Sequence, residues 1–126
     1  MRQPSISDAE WEVMEVVWDR EPVGSTEVCD ALAGSKRSPR TVKTMLNRLL
    51  GKGFLEAEAE GKRYLYRACV SREECVDAAS DSFRARVFGG EEAPMITHLV
   101  RNADLSPDAI RKLREMLEQK ERESDA

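Results

Sequence analysis

Histidine is almost missing from this chain: His98 is the only one in 126 residues. Acid–base catalysis near neutral pH usually needs such a group, and neither a glycine-rich phosphate loop nor a Ser/His/Asp set is present. The expectation is a protein that is not an enzyme and carries no cofactor. Cysteine is also scarce. Cys29, Cys69 and Cys75 cannot all pair, and none lies in a C-x-x-C, which excludes a disulfide scaffold. Cys69 and Cys75 are separated by a helix cap and match no clean metal motif, and His98 sits in an apolar stretch suited to a core or interface, so no metal site is expected. No apolar run approaches the roughly 18 residues of a membrane span, and the N-terminus lacks a signal-peptide core. A soluble, cytoplasmic protein without membrane insertion is expected.

Acids are missing from one segment in particular. The formal charge of the whole chain is -4, with 20 Lys+Arg against 24 Asp+Glu. Residues 1–35 carry two bases and eight acids, residues 36–67 nine bases and three acids, and residues 68–126 nine bases and thirteen acids. From Lys36 to Lys52 there are six bases and no acid. A basic block between acidic ones suggests a local polyanion site, although charge alone fits a solvated helix face equally well. The acidic flanks, Glu10, Glu12 and Glu15 among them, are expected to keep non-specific binding of DNA weak.

The elements around this block are well marked. Ser7 and Glu10 form a capping box, Ile6 and Trp11 a hydrophobic staple, and Trp11, Met14, Val17 and Trp18 one buried stripe, with Pro22 ending the segment. A short helix follows from about Ser25 to Leu32, with Cys29 beside its apolar face and Gly34 as the stop. Ser38-Pro39 opens the third helix, in which Val42, Met45, Leu46, Leu49 and Leu50 face inward. Arg40, Thr44, Asn47, Arg48 and Gly51 fall opposite, with Thr41 and Lys43 on the flanks. Gly53 is placed as a left-handed C′ residue that folds Phe54 back onto Leu49. Phe54–Glu58 and Arg63–Arg67 read as two strands around a turn at Ala59-Glu60-Gly61-Lys62, with Tyr64 and Tyr66 packed under the resulting wing.

From Val70 onward the pattern is helical. Ser71 and Glu74 cap a helix through about Phe88, Gly89-Gly90 breaks it, Pro94 opens a short apolar helix, and Leu105-Ser106-Pro107 starts a last one with a charged tail that frays from Glu118. About 55 residues in three helices is little for a core of its own. Phe83, Val87, Phe88, Ile96, Leu99, Val100, Leu113 and Leu117 are therefore assigned to burial against a second copy, the alternative being packing onto the N-terminal half.

The fold class expected is mainly α: a winged helix-turn-helix with a two-stranded wing over residues 1–70, then a three-helix dimerisation domain with a charged tail over residues 71–126. Such a third helix fits the major groove, where Arg pairs with guanine and Asn with adenine. The candidate contacts to double-stranded DNA are Ser38, Arg40, Thr41, Lys43, Thr44, Asn47 and Arg48 on the helix, and Lys62 and Arg63 at the wing tip. A rival reading is a winged-helix adaptor that binds protein through its acidic faces.

The chain also resembles a known family, the BlaI/MecI/CopY transcriptional repressors. The resemblance is carried by W-E-V-M-E-V-V-W from Trp11, S-P-R-T-V-K-T-M-L-N-R-L from Ser38, K-G-F from Lys52 and Y-L-Y from Tyr64. It continues through V-F-G-G at Val87, H-L-V at His98 and D-L-S at Asp104. It implies a homodimer on a palindromic operator, with Arg40, Thr41, Lys43 and Thr44 contacting bases or phosphates, released by a stress or antibiotic signal. Two departures stand out. The copper-responsive branch ends in a C-x-C tail, and no cysteine follows Cys75 here. In the β-lactam branch a signalling protease of a membrane sensor pathway cuts an Asn-Phe bond; the matching candidate cleavage site here is Ser82-Phe83, with Ser in place of Asn.

Overall fold

The computed structural model describes residues 5–35 and 37–125, which form two compact units, one ending at Phe83 and the other beginning at Arg84. In order, the elements are α1 (Asp8–Arg20), β1 (Val23–Gly24), α2 (Ser25–Ala31), a 3-10 turn (Ala33–Ser35) and α3 (Pro39–Gly51). Then come β2 (Leu55–Glu60), β3 (Arg63–Ala68), α4 (Arg72–Phe88), α5 (Glu92–Asn102) and α6 (Pro107–Ser124).

Both capping boxes form. Ser7 N–H donates to Glu10 Oε1 at 2.9 Å while Ser7 Oγ accepts the Glu10 N–H, and Ser71 and Glu74 repeat the exchange before α4. Ser38 caps α3 by accepting the Thr41 N–H, and Ser106 caps α6 by accepting the Ala109 N–H. At the far end of α3, Gly53 adopts φ 82°, its N–H donates to Leu50 O, and Phe54 N–H donates to Leu49 O. These are the two bonds of a Schellman ending, and they turn the chain from the helix into β2.

The core of the first unit is built from one face each of α1, α2 and α3, closed by the sheet. Val13, Met14, Val17, Val28, Val42, Leu46 and Leu49 are fully or almost fully buried, with Leu55 and Tyr66 covering them from the strands. Cys75 and Ala78 bury the first part of α4, so packing continues past residue 70 to Phe83. Trp11 and Trp18, expected in the core, are only half-buried; they meet edge to face at 5.7 Å, and Trp18 Nε1 donates to Val70 O at 2.9 Å. An indole keeps its N–H satisfied by stopping at the boundary, where a carbonyl is within reach. Leu50 and Cys29 are half-buried too.

The two-stranded wing forms as the β2–β3 hairpin. A third strand not expected from the sequence, β1, extends the sheet in the order β1-β3-β2. Val23 pairs with Tyr66 and Gly24 with Leu65, both antiparallel. Two residues are too short to show an alternating pattern, so β1 leaves no periodic signal in the sequence. The turn is also tighter than expected: β2 runs through Glu60, and Gly61-Lys62 alone reverses the chain, with Gly61 at φ 63°. Tyr66 is buried but Tyr64, two residues nearer the tip, is 59% exposed, because the hairpin extends beyond the core that would cover it.

In the second unit, α5 starts at Glu92 rather than at Pro94, and α6 continues to Ser124 instead of fraying from Glu118. Spaced side-chain bonds such as Arg122 to Gln119 and Gln119 to Glu123 support that last stretch. Arg84 pairs with Glu92 at 2.8 Å across the Gly89-Gly90 turn, and the Phe88 and His98 rings lie 6.1 Å apart. No residue of α5 or α6 is buried.

Candidate nucleic-acid interface

The helix-turn-helix is formed by α2 and α3, joined by the 3-10 turn and the residues leading to Ser38. Along α3, Val42, Met45, Leu46 and Leu49 are buried and Arg40, Lys43, Thr44, Asn47 and Arg48 are exposed, so the chemistry expected for the outer face is on the outer face. Ser38 is exposed and Thr41 half-buried, with their hydroxyls 3.0 Å apart. Thr44 Oγ1 donates to Arg40 O at 3.0 Å. Its proton is thus engaged within the helix, which suits Thr44 to a methyl contact or to accepting from a base amino group rather than donating to a phosphate.

Ion pairs decide which of the bases are available. Lys52 Nζ donates to Glu10 Oε1 at 2.8 Å and to Ser5 O at 3.1 Å. Arg37 pairs with Glu12, Arg72 with Glu15 at 2.7 Å, and Arg63 with Glu27 at 2.6 Å. Glu10, Glu12 and Glu15 are therefore tied to three different segments rather than forming a bare acidic face. Burial raises the Glu10 pKa, but the Lys52 hydrogen bond together with the Ser7 contacts outweighs it and leaves the carboxyl below its ordinary range. The Arg63 hydrogen bond and the Gly24 N–H likewise hold the Glu27 carboxyl low.

The wing itself is not basic. Glu56, Glu58 and Glu60 alternate along β2 and balance Lys62, Arg63 and Arg67. Those carboxylates line an edge strand, where charge discourages pairing with another chain. Among the described residues no acid pairs with Arg40, Lys43, Arg48 or Lys62. In the first unit the bases without an acidic partner among the described residues are Arg40, Lys43 and Arg48 on α3 and Lys62 and Arg67 on the wing. Lys36 lies outside the described residues. Glu27 and Gly24 were missed by the sequence reading; the signal was a glutamate three residues after the helix cap, the spacing already used at Glu10 and Glu74.

The residues assigned to a dimer surface are exposed in the single chain. In the first unit Phe83 is 37% exposed. In the second, Val87, Ile96, Leu99, Val100, Leu113 and Leu117 are exposed and Phe88 is half-buried. Ile96, Val100, Leu105, Ile110, Leu113 and Leu117 line a groove of 270 Å³ between α5 and α6. Ser82 and Phe83 lie within α4, with Ser82 half-buried, rather than on a loop.

Three helices, a small sheet ending in a wing, and an acid-free outer face on the third helix define a winged helix-turn-helix protein. Residues 6–119 match the sequence model of the penicillinase repressor family. The penicillinase repressor of Bacillus licheniformis is 35% identical over 117 residues, spanning 92% of this chain and 91% of that protein. The methicillin resistance regulatory protein MecI of Staphylococcus aureus is 31% identical over 116 residues, 91% of this chain and 94% of that protein. The solution structure of the B. licheniformis BlaI monomeric form with the blaP half-operator is 38% identical, covers 58% of this chain and 90% of that one, and gives a TM-score of 0.51. The chain belongs to the penicillinase repressor family, a family of transcriptional repressors rather than enzymes.

Proposed function

We propose that this repressor binds a palindromic operator as a homodimer, each copy setting α3 in the major groove and the wing tip against the flanking backbone. The observation that carries the reading is the exposed face of α3, where Arg40, Lys43, Asn47 and Arg48 stand without an acidic partner among the described residues. Arg40, in the entering turn, and Asn47 have the donor patterns that read guanine and adenine edges. Lys43, Arg48 and Lys62 suit phosphates, and Ser38 and Thr41 flank the N-terminus of α3, whose backbone N–H groups favour an anion. Residues 1–70 act as the DNA reader and 71–126 as the dimerisation half. The apolar side chains of α5 and α6 support that second role, since an unshared surface of this kind is unusual on a monomer. Derepression by a membrane sensor-protease pathway would cut at Ser82-Phe83 in the cytoplasm; because that bond is helical, cutting requires α4 to unwind locally.

The test is a gel shift on the chain's own upstream region across a salt series. Lys43, Arg48 and Lys62 on phosphates give a log–log slope of about -2.7 per chain, at about -0.9 for each neutralised phosphate. A flat salt response, or no preference over random duplex, overturns the reading.

A further inference from the structure

Arg63 is placed at the wing tip, one residue after the turn, yet its guanidinium is turned back onto α2. Its Nη1 donates to Glu27 Oε1 at 2.6 Å. The second oxygen of the same carboxylate accepts the Gly24 N–H, in the strand that pairs with β3. The seat is shaped for the carboxylate: a Cβ on Gly24 would fall 2.5 Å from Glu27 Oε2 and 3.4 Å from Arg63 Nη1. A side chain there would push the Glu27 carboxylate aside. Lys62, beside Arg63, has no such partner among the described residues.

We infer that Glu27 sets the overall strength of DNA binding: it withholds the Arg63 guanidinium from the DNA backbone, so that binding to every duplex stays weaker while Lys62 supplies the tip's phosphate contact. The inference rests on the DNA-binding reading above. A phosphate contact adds affinity for every duplex alike, whereas base contacts on α3 discriminate. Removing one such contact by an internal carboxylate lowers binding to every duplex by the same factor and leaves the reading face untouched. Arg63 thereby leaves the set of nine direct contacts expected from the sequence.

The test uses anisotropy titrations of the full chain on a labelled random-sequence duplex and on its own upstream region, from 50 to 200 mM salt. Lys62→Ala should flatten the slope by about 0.9 per chain, and Arg63→Ala should leave it at the wild-type value. Glu27→Gln should steepen it by about 0.9, making the affinity loss across that salt range about 3.5-fold larger per chain than in wild type. Glu27→Gln should also bind random duplex and the upstream region more tightly by the same factor, leaving the preference between them at the wild-type value. In the Arg63→Ala, Glu27→Gln double variant the slope should return to wild type, because the gain requires Arg63. A slope that flattens in Arg63→Ala, or a steepened slope that survives in the double variant, overturns the inference while leaving DNA binding intact. A wild-type chain whose binding is flat in salt overturns the DNA reading itself and this inference with it.

Discussion

Glu10 offers the sharpest test of how the reading helix is held. Its side chain is 3% exposed, yet it is charged, and it joins the start of α1 to Lys52 at the end of α3. Two contributions can be separated by substitution. The Ser7 N–H bond at 2.9 Å completes a capping box, and loss of a helix-capping interaction typically costs about 0.5–2 kcal/mol. The Lys52 bond at 2.8 Å is charge-assisted, a class worth about 1.5–3 kcal/mol, here at the low end because the Lys52 side chain is 41% exposed to screening water. Glu10→Gln can keep the cap through its amide oxygen and should lose about 1–2 kcal/mol; Glu10→Ala loses both and should lose about 2–4 kcal/mol. For a unit of this size the alanine variant should melt roughly 10–20 °C lower.

The pH dependence follows from the sign of the shift. The folded Glu10 carboxyl titrates below its ordinary value of 4.5, so its contribution is present above that pH and is lost as pH falls through the folded value. Urea unfolding followed by circular dichroism, at fixed protein concentration, from about pH 7 to about pH 3, should show wild type and Glu10→Gln converging in acid. A gap under about 0.5 kcal/mol at neutral pH would show that burying the carboxylate cancels what Lys52 returns. A gap that persists in acid would show that charge is not its source.

Arg40→Ala should lose preference for the operator over random duplex, at about 1–3 kcal/mol for a bidentate base contact, whereas Lys62→Ala should weaken binding to all duplexes alike; equal loss on every sequence for Arg40→Ala would remove it from base reading. Leu99→Asp or Leu113→Asp, on the exposed faces of α5 and α6, should halve the mass found by light scattering, and an unchanged mass would refute the dimer assignment. Gly53→Ala meets no atom within 4 Å of its new Cβ, so its cost is the left-handed backbone alone, about 1–2 kcal/mol in urea unfolding; Gly53→Asn should recover part of it, and equal losses would point away from φ as the cause.

Most of the fold was legible because its signals are local. Caps at Ser7, Ser38, Ser71 and Ser106 act over three residues, and the inward stripe of α3 repeats on the helical period, so both survive as patterns in a linear string. The strand β1 was not legible: two residues acquire strand geometry only because β3 lies alongside. The half-burial of Trp18 was hidden for a similar reason, since its partner Val70 is 52 residues away. Pro94 marks a helix start because proline suits the first turn, and the helix begins two residues earlier with proline still inside that turn.

The sequence by itself determined where α1, α3, α4 and α6 are capped, which face of α3 is polar, and that residues 36–52 carry no acid, because each of these is a property of neighbours along the chain. Only the tertiary structure decided which charges act outward. Arg37 is matched by an acid 25 residues away, Lys52 by one 42 away, and Arg63 by one 36 away. Such pairs exist only once α1, α2 and the sheet have packed around α3, and a count of formal charge treats paired and unpaired bases alike. Packing thus leaves a narrower positive surface in this unit than the composition suggested: the outer face of α3, with Lys62 and Arg67 on the wing.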